Sequence, residues 1–221
     1  MKVAIAVPLG EVVSDIAFNA FMAIAQKGWP MIQRGRDRTD NNRNQLAKQF
    51  LESSELDYIL MLDADHVHPV DIVERHMRYV YHDPAKLVIG GLHYRRGAPF
   101  EPMVWVKSDD GLFHHPVAPP DGIFRCDAMA HCTLLVHRSV FDRIEYPWWR
   151  YDYDVTIDEE SASEDIYFCK SCREAGIELW CDGTTTSPHI RQDLVTGAHF
   201  QQYMAEHPEQ FSVIEIEQEV A

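Results

Sequence analysis

The sequence predicts an α/β fold in which a mostly parallel central sheet is flanked by helices. The chain has 221 residues, of which 46% are apolar, and this is enough to bury the core of one globular domain. Short apolar segments alternate with longer segments whose apolar residues recur at helical spacing, an order typical of an open parallel sheet with helices on both faces. One apolar segment also ends in two aspartates, and ligands of such sheets bind outside the carboxyl ends of the strands.

The chain opens with a strand and two helices. Residues 2–7 are an apolar run that predicts a short buried strand, and the apolar residues of the next segment recur at helical spacing up to Ile24. A second amphipathic helix is predicted through Phe50. Thr39 or Asp40 is its expected N-cap, because a side-chain oxygen there can accept a hydrogen bond from a free backbone N–H.

Residues 58–62 predict the centre of the sheet. They are five consecutive apolar residues without alternation, which is typical of a parallel strand covered on both faces. Pro69 opens a third predicted helix, and residues 86–91 form the next predicted strand. Because the strand at 58–62 leads directly to Asp63 and Asp65, we expect both aspartates at the ligand-binding edge.

The second half of the chain is less regular. The turn residues Asp109, Asp110 and Gly111 predict a hairpin, and Ser163 is the expected N-cap of a helix that ends before Gly176. The other predicted elements are hairpin strands at 102–106 and 111–117, strands at 133–137 and 177–181, a helix at 193–206, and an edge strand or disordered tail at 214–217.

The amino-acid composition limits the kinds of binding partner and the cellular location that we expect. A formal net charge of -15 opposes non-specific binding to nucleic acid or anionic lipid, which depends on Lys and Arg, although local arginine clusters leave nucleic acid open. The apolar stretches are much shorter than the ~20 residues of a membrane span, and the N-terminal residues lack a signal-peptide pattern. We therefore expect a cytoplasmic protein without a membrane partner, whose five cysteines are reduced.

The Asp63-Ala64-Asp65 segment is the first candidate site. Residues two apart in extended chain point to the same side, so both carboxylates can face one ligand. Two hard oxygen donors suit Mg²⁺ or Mn²⁺, especially where a diphosphate supplies further ligands. The alternative is a pair of strand-end acids that cap a helix or stay solvated.

Glu164 and Asp165 are the second candidate site. They follow the expected N-cap Ser163, and a carboxylate at this position can act as general base for an acceptor hydroxyl if it points into a cleft. The alternative is that the two acids only complement the positive end of the helix dipole.

Histidine and cysteine residues near the end of the chain give two further hypotheses. A neutral His189 could complete the ligand shell of a borderline metal such as Mn²⁺, or it could be one loop histidine among the twelve in the chain. Cys169, Cys172, Cys181 and His189 could instead form a Cys₃His zinc site. Cys169 and Cys172 would otherwise be small buried residues on the apolar face of a helix.

In their order and spacing these motifs resemble those of a GT-A glycosyltransferase of the family 2-like kind. The resemblance spans nearly the whole chain. In chain order it comprises Val7-Pro8, Arg43-Asn44, the segment from Asp57 through Asp63-Ala64-Asp65-His66, the segment 127–135, Ser163-Glu164-Asp165-Ile166-Tyr167-Phe168 and His189.

The resemblance implies a single Rossmann-like GT-A domain that transfers a sugar, such as a hexose, from a nucleotide-diphosphate sugar to a hydroxyl acceptor. It implies Mn²⁺ or Mg²⁺ as cofactor and favours a UDP-sugar donor. The site residues it implies are Pro8, Arg43, Asp63 and Asp65 for the nucleotide-sugar, Asp63, Asp65 and His189 for the metal, and Asp165 and Glu164 for catalysis. The segment 128–132 often carries glycine in the family, whereas this chain has Ala128, Ala130 and His131.

The resemblance also implies a domain division. The GT-A domain would span 1–210, with a nucleotide-binding half at 1–91, an acceptor and catalytic half at 92–210, and a tail at 211–221. Two alternatives remain: a nucleotidyltransferase on a similar sheet, and a non-catalytic, zinc-stabilised binding protein. The first is expected to have a glycine-rich phosphate loop after the first strand, which the segment Pro8-Leu9-Gly10-Glu11-Val12 does not provide.

Overall fold

The computed structural model describes residues 1–10, 12–109, 111–154, 159–191 and 194–211. Strands and helices alternate regularly through the first part of the chain, as the hydrophobic pattern predicts. In chain order these elements are β1 (Val3–Pro8), α1 (Asp15–Ala25), β2 (Met31–Arg34), α2 (Thr39–Leu51), β3 (Tyr58–Leu62), α3 (Ile72–His82) and β4 (Val88–Leu92).

The rest of the chain has shorter elements. They are β5 (Val104–Lys107), β6 (Phe113–His114), β7 (Ile123–Cys126), β8 (Ala128–Met129), β9 (Thr133–His137), α4 (Val140–Arg143), β10 (Asp152–Asp154), β11 (Glu159–Ala162), α5 (Glu164–Glu174), β12 (Leu179–Thr186), β13 (His189–Ile190), β14 (Leu194–Val195), α6 (Gly197–Glu206) and a 3₁₀ turn (Pro208–Gln210).

In the described part of the chain the centre is a seven-stranded sheet with the order β2-β1-β3-β9-β4-β12-β7. β1 is parallel to β2 and β3, and β4 is parallel to β12. β9 lies antiparallel between β3 and β4, and β7 is antiparallel to β12 at the edge. Only β9 and β7 run against the other strands, so the prediction of a mostly parallel sheet is confirmed. β3 itself is parallel to a neighbour on one side only.

Helices cover both faces of this sheet. On one face α2 and α5 contribute Leu46, Phe50 and Phe168 to a core with alternate residues of the central strands. On the other face α1 and α3 contribute Ile24 and Met77 to a second core. β3 is buried along its whole length because helices lie on both of its faces, which explains why its sequence is a continuous apolar run.

Two helix starts differ from the prediction. α2 begins at Thr39 after Arg38 and has no side-chain cap, so Thr39 and Asp40 lie in its first turn. Asp40 can favour the helix there through its charge instead. α3 begins at Ile72, and the N–H of Ile72 donates to the carbonyl of Pro69 at 3.1 Å. Pro69 therefore forms the turn that precedes the helix.

α5 follows the prediction at both ends. Ser163 occupies the N-cap position, although its side chain makes no cap hydrogen bond, and Gly176 follows the last turn with φ 68°. A positive φ at this position favours glycine, because other residues carry a Cβ that is crowded in the left-handed conformation.

The bounds of the smaller elements in the second half of the chain depend on pairing with distant segments. The predicted hairpin forms, with Val106 opposite His114, but β6 has only two residues and Asp110 lies outside the described residues. The strand predicted at 177–181 extends as β12 to Thr186, and the last helix begins at Gly197 instead of residue 193. β7, β8 and α4 were not predicted, because their short runs have no clear period. Residues 214–217 lie outside the described residues.

The position of β9 connects the two predicted halves of the chain. It comes from the segment after residue 91, yet it lies between β3 and β4. Its start meets the end of β3, where Asp63 N–H donates to the Cys132 carbonyl at 2.9 Å. The division at residue 91 into a nucleotide-binding and an acceptor half stays a prediction. None of the helices described is long and apolar enough to span a membrane.

Candidate active site

Predicted residues from two segments line one cavity at the carboxyl ends of β1 and β3. Pro8 is the last residue of β1, and Asp63 and Asp65 follow the end of β3. The two strands are parallel neighbours, so their carboxyl ends lie side by side. The cavity has a volume of about 200 Å³. Its other lining residues are Leu9, Gly10, Val12, Asp37, Thr39, Asn42 and Ala64.

A buried arginine lies among three carboxylates next to this cavity. Arg43 Nη1 is 3.1 Å from Asp63 Oδ1, and Arg43 Nη2 is 3.5 Å from Asp165 Oδ1. Arg43 Nε is 3.8 Å from Glu164 Oε1, and the arginine side chain is only 2% exposed. We call Arg43, Asp63, Glu164 and Asp165 the inner cluster. α2, the end of β3 and the first turn of α5 bring its members together.

The inner cluster perturbs the acidity of all its members. Burial raises the pKa of Asp63, and the Arg43 charge only partly offsets this effect. Burial also acts on Asp165, but His131 and Arg43 outweigh it and hold the pKa of Asp165 below its ordinary value. Burial and the neighbouring Asp165 charge raise the pKa of Glu164, against Arg43 and Tyr151. Asp165 is therefore the more acidic member of the Glu164–Asp165 pair, and Glu164 is the member that retains a proton more readily.

His131 supports the inner cluster from the core. Its backbone N–H donates to Asp165 Oδ2 at 3.2 Å, and its carbonyl accepts from Arg43 Nη1 at 3.3 Å. The indole N–H of Trp149 donates to His131 Nδ1 at 2.9 Å, and His131 Nε2 lies 3.4 Å from Cys169 Sγ. A glycine at position 131 could make the backbone contacts alone, so the imidazole adds a link between the site and the core.

Asp65 belongs to a second, more exposed group. Its Oδ1 accepts from His66 Nδ1 at 2.8 Å, and its Oδ2 lies 3.1 Å from His189 Nε2. The Arg96 guanidinium contacts Asp65 Oδ2, and Arg96 Nε lies 2.9 Å from His189 Nε2. The rings of His66 and His189 are stacked with centroids 4.1 Å apart. We call Asp65, His66, Arg96 and His189 the outer cluster.

The outer cluster has donors that suit a divalent cation. One ligand atom each from Asp65, His66 and His189 lies within 4.8 Å of the other two. Burial raises the pKa of Asp65, but its hydrogen bonds with His189 and His66 outweigh burial and hold the pKa below its ordinary value. The carboxylate is therefore ionised, as a ligand must be, and imidazole with carboxylate is a donor set that Mn²⁺ accepts. Arg96 already places one positive charge between Asp65 and His189.

The sequence analysis missed several residues of this region. His66 was quoted only as part of a motif, although its position directly after Asp65 places it at the same strand end. Arg96 comes from the loop after β4, Asp37 comes from the connection between β2 and α2, and Thr39 and Asn42 come from the start of α2. Arg96 was one of two adjacent arginines in the sequence, but nothing local connected it with Asp65.

The alternative zinc set is not assembled. Cys169, Cys172 and Cys181 lie in the apolar core on the α2 and α5 face of the sheet, where burial raises their pKa values. His189 contacts Asp65 in the outer cluster. All five cysteines of the chain are buried and free.

The fold of the chain is found in solved structures. A197 from STIV aligns over 90% of this chain and 92% of its own, with a TM-score of 0.64 and 15% identity. GalNAc-T7, solved with UDP, GalNAc and Mn²⁺, aligns over 92% of this chain with a TM-score of 0.58 and 10% identity. The fold is GT-A-like. The alignment covers 47% of the GalNAc-T7 chain, so this chain corresponds to about half of that protein.

Sequence comparison adds no closer relative. No protein-family model matches the chain, and no curated protein matches it. The likeness to A197 and GalNAc-T7, at 15% and 10% identity, establishes the fold alone.

Proposed function

We propose that this chain is a metal-dependent glycosyltransferase that moves a sugar from a nucleotide-diphosphate sugar to a hydroxyl acceptor. The observation that carries the proposal is the meeting of Pro8, Asp63 and Asp65 in one cavity, with His189 in contact with Asp65. In a sheet of this kind a ligand binds at the carboxyl ends of the strands, where this cavity lies. GalNAc-T7, which shares the fold, was solved with a nucleotide, a sugar and Mn²⁺.

The outer cluster is the proposed metal and diphosphate end of the site. Asp65 and His189 would hold Mn²⁺ or Mg²⁺, and Asp63 would contact the ribose or the same ion. When bound, such an ion neutralises the charge that develops on the leaving diphosphate. Arg96 would move aside from the two ligands and could then face the phosphates, because it is 52% exposed and is not enclosed by the core.

The inner cluster is the proposed catalytic part. A carboxylate whose pKa is lowered accepts a hydrogen bond well but is a weak general base. We therefore assign Asp165 to the orientation of the acceptor hydroxyl, with proton acceptance as its role if the reaction inverts the anomeric centre. Glu164, whose pKa is raised, is the neighbouring group that can share a proton with it. Arg43 keeps Asp63 and Asp165 in place between the donor and acceptor ends.

The sequence motifs support a more specific family and a first donor to examine. The order of Asp63-Ala64-Asp65, Glu164-Asp165 and His189 supports a family 2-like member of the GT-A fold, with a UDP-linked hexose as the first donor to examine. No specific contact favours the nucleotidyltransferase alternative. The acceptor is a hydroxyl compound, and the net charge of -15 favours one that is not a polyanion.

The deciding experiment measures donor binding and its metal dependence. Thermal unfolding of the full chain would be followed with UDP, GDP, CDP, ADP or dTDP, each with and without Mn²⁺. A ligand that binds the folded state at 100 times its Kd stabilises it by about 2.7 kcal/mol. We expect a rise in Tm for one diphosphate that requires Mn²⁺.

Two site variants and two matched controls make this result specific. Asp65→Asn and His189→Gln should keep the Tm of the unliganded protein but lose the metal-dependent rise. Asp71→Asn and His207→Gln remove the same side-chain types from surface ion pairs away from the cavity, and they should retain the rise. An equal response from all four variants would refute the metal assignment, and the absence of any response in the parent protein would refute the donor site.

A further inference from the structure

Three potential metal ligands lie behind the outer cluster in the interior of the protein. One ligand atom each from His66, His93 and Cys132 lies within 4.8 Å of the other two. His66 and His93 are each 1% exposed, and Cys132 is 9% exposed. His66 comes from the end of β3, His93 from the end of β4, and Cys132 from the residue before β9. These three neighbouring strands therefore enclose the group at one edge of the sheet.

Each histidine directs one nitrogen to a partner and leaves the other without one. His66 Nδ1 donates to Asp65 Oδ1 at 2.8 Å, while its buried Nε2 has no hydrogen-bond partner. The Thr133 backbone N–H donates to His93 Nε2 at 3.2 Å, while the buried Nδ1 of His93 has no hydrogen-bond partner. Buried polar atoms are nearly always satisfied, and each one that is not costs about 1–3 kcal/mol. One ligand bound by both nitrogens and the neighbouring thiol would satisfy the two unpartnered atoms.

We propose that His66, His93 and Cys132 form a buried zinc site. The ligand atoms would be His66 Nε2, His93 Nδ1 and Cys132 Sγ. Zinc prefers nitrogen and sulfur donors, with Zn–N of about 2.0–2.1 Å and Zn–S of about 2.3 Å. Around a tetrahedral ion, donor atoms at these distances are about 3.4–3.6 Å apart. Ligand atoms that lie up to 4.8 Å apart would therefore have to approach one another by as much as about 1.4 Å when the ion binds. A fourth position remains for water.

The surroundings fit a bound cation. Binding releases the Cys132 thiol proton to solvent and leaves a thiolate on the ion, so the filled site keeps one net positive charge. Asp65 accepts a hydrogen bond from His66 Nδ1–H and would thereby complete the carboxylate–histidine–metal arrangement that is usual around zinc ligands. Zinc on Nδ1 would place the His93 proton on Nε2, which would then donate to the Thr133 hydroxyl at 3.3 Å in place of accepting from the Thr133 backbone N–H.

This site is separate from the one in the proposed function. The outer site uses Asp65 and His189, which are oxygen and nitrogen donors, whereas the inner zinc site includes a thiolate. His66 connects them, because its ring donates to Asp65 and stacks on the His189 ring. An ion on His66 Nε2 would fix this ring and thereby hold Asp65 and His189 in position. The zinc site is thus a structural support whose existence does not depend on glycosyl transfer.

Cobalt provides a direct test, because a thiolate on Co²⁺ gives a charge-transfer band in the near ultraviolet that oxygen and nitrogen ligands do not give. Metal-free full-length protein would be titrated with Co²⁺ and then with Zn²⁺. We expect the band to saturate at one equivalent and to disappear when Zn²⁺ displaces Co²⁺. No thiolate band in the parent protein would overturn the proposal.

Three variants locate the ligands. Cys132→Ser should abolish the band, whereas Cys172→Ser, which changes a buried cysteine of the α5 core, should keep it. His189→Gln should also keep it while removing the outer site. A band that survives in folded Cys132→Ser would overturn the assignment.

A second measurement needs no variant. X-ray absorption of the zinc-loaded parent protein should show a sulfur scatterer at about 2.3 Å together with nitrogen at about 2.0 Å. A shell of nitrogen and oxygen alone would refute the site even if Cys132→Ser did not fold. Loss of nucleotide binding with an intact sulfur shell would instead count only against the proposed function.

Discussion

Asp63 and Asp65 lie two residues apart on the same strand end, yet they occupy different environments. The Asp63 side chain is 19% exposed and pairs with the buried Arg43, whereas the Asp65 side chain is 50% exposed and contacts Arg96 and His189. Burial dominates at Asp63 and raises its pKa, whereas hydrogen bonds dominate at Asp65 and lower its pKa. A pair of acids with the spacing of one motif is therefore divided into a carboxylate paired with a buried arginine and a more exposed one.

The charge balance of the two clusters differs in the same way. The inner cluster has three carboxylates for one guanidinium, and burial raises the pKa values of two of them, Asp63 and Glu164. The outer cluster has one carboxylate, one guanidinium and two imidazoles. A divalent cation that bound the outer cluster would compete with the Arg96 guanidinium for Asp65 and His189. An anionic diphosphate bound beside this cluster would lie near the positive charge of Arg96. The inner cluster offers neither opportunity, because its guanidinium is buried and already paired.

The largest effect is expected from removing the buried charge of the inner cluster. Arg43→Met leaves Asp63, Glu164 and Asp165 without their common partner, and removing one member of a buried ion pair typically costs about 3–5 kcal/mol. Urea unfolding at neutral pH measures the loss in the free energy of unfolding. Arg96→Met is the matched control: its ion pair with Asp65 is solvent-exposed, so we expect a loss below about 1 kcal/mol. Similar losses in both variants would contradict the distinction between the clusters.

The second effect concerns catalysis in the inner cluster. Asp165→Asn removes the negative charge but keeps an oxygen that can accept from His131 N–H, so we expect an intact fold and unchanged donor binding. Transfer should fall by about 10²–10⁴-fold, the range for a positioned acid or base. Sugar transfer from the donor identified by unfolding measures kcat and KM separately. A fall in affinity for the donor with unchanged kcat would place Asp165 on the donor side instead.

The third effect tests whether His68, which holds the Asp63 carbonyl, stabilises the folded chain in its neutral form. Burial lowers the pKa of His68 to about 3, and its Nε2 donates to the Asp63 carbonyl at 2.8 Å. Because the folded pKa lies below the ordinary value of 6.5, protonation favours the unfolded chain. Stability from the neutral ring is complete above about pH 6.5 and falls as the pH decreases toward about 3.

His68→Gln removes this titration. In this window the pH slope of the free energy of unfolding should decrease by up to about 1.4 kcal/mol per pH unit, which corresponds to one proton. Urea unfolding of the variant and the parent at several pH values gives the two slopes. Equal slopes would show that His68 is not held neutral in the folded protein. The absolute stability can also fall, because the glutamine replaces a buried ring, but this loss does not depend on pH.

The smallest effect distinguishes the outer cluster. Arg96→Ala removes a positive charge that contacts both proposed metal ligands, so we expect Mn²⁺ to bind about fivefold more tightly. This corresponds to roughly 1 kcal/mol, the interaction of a doubly charged ion with a unit charge about 8 Å away in bulk water. Calorimetric titration with Mn²⁺ alone measures the change, and Arg75→Ala, which removes a surface ion pair on α3, is the control. Weaker Mn²⁺ binding in Arg96→Ala would indicate that Arg96 organises the ligands instead of competing for them.

The sequence by itself determined the alternation of elements, the type of sheet and the strand-end acids. Residues 58–62 form β3 with the predicted bounds, because an uninterrupted apolar run leaves few other environments for a strand. Ser163 and Gly176 delimit α5 as predicted, because cap residues act through local backbone geometry. Asp63 and Asp65 could be placed together in the same way, since both follow directly from the end of β3 at the sheet edge.

The tertiary structure alone decided the partners of these residues. Arg43, Arg96 and His131 reach the acids from separate segments, and no local pattern specifies which arginine is buried and which remains exposed. The antiparallel insertion of β9 between β3 and β4 brings Cys132 to Asp63 and close to His66 and His93. Such contacts join residues far apart in the chain, so they follow from the packing of the sheet and helices. The division between an inner carboxylate paired with Arg43 and a more exposed outer one arises from that packing.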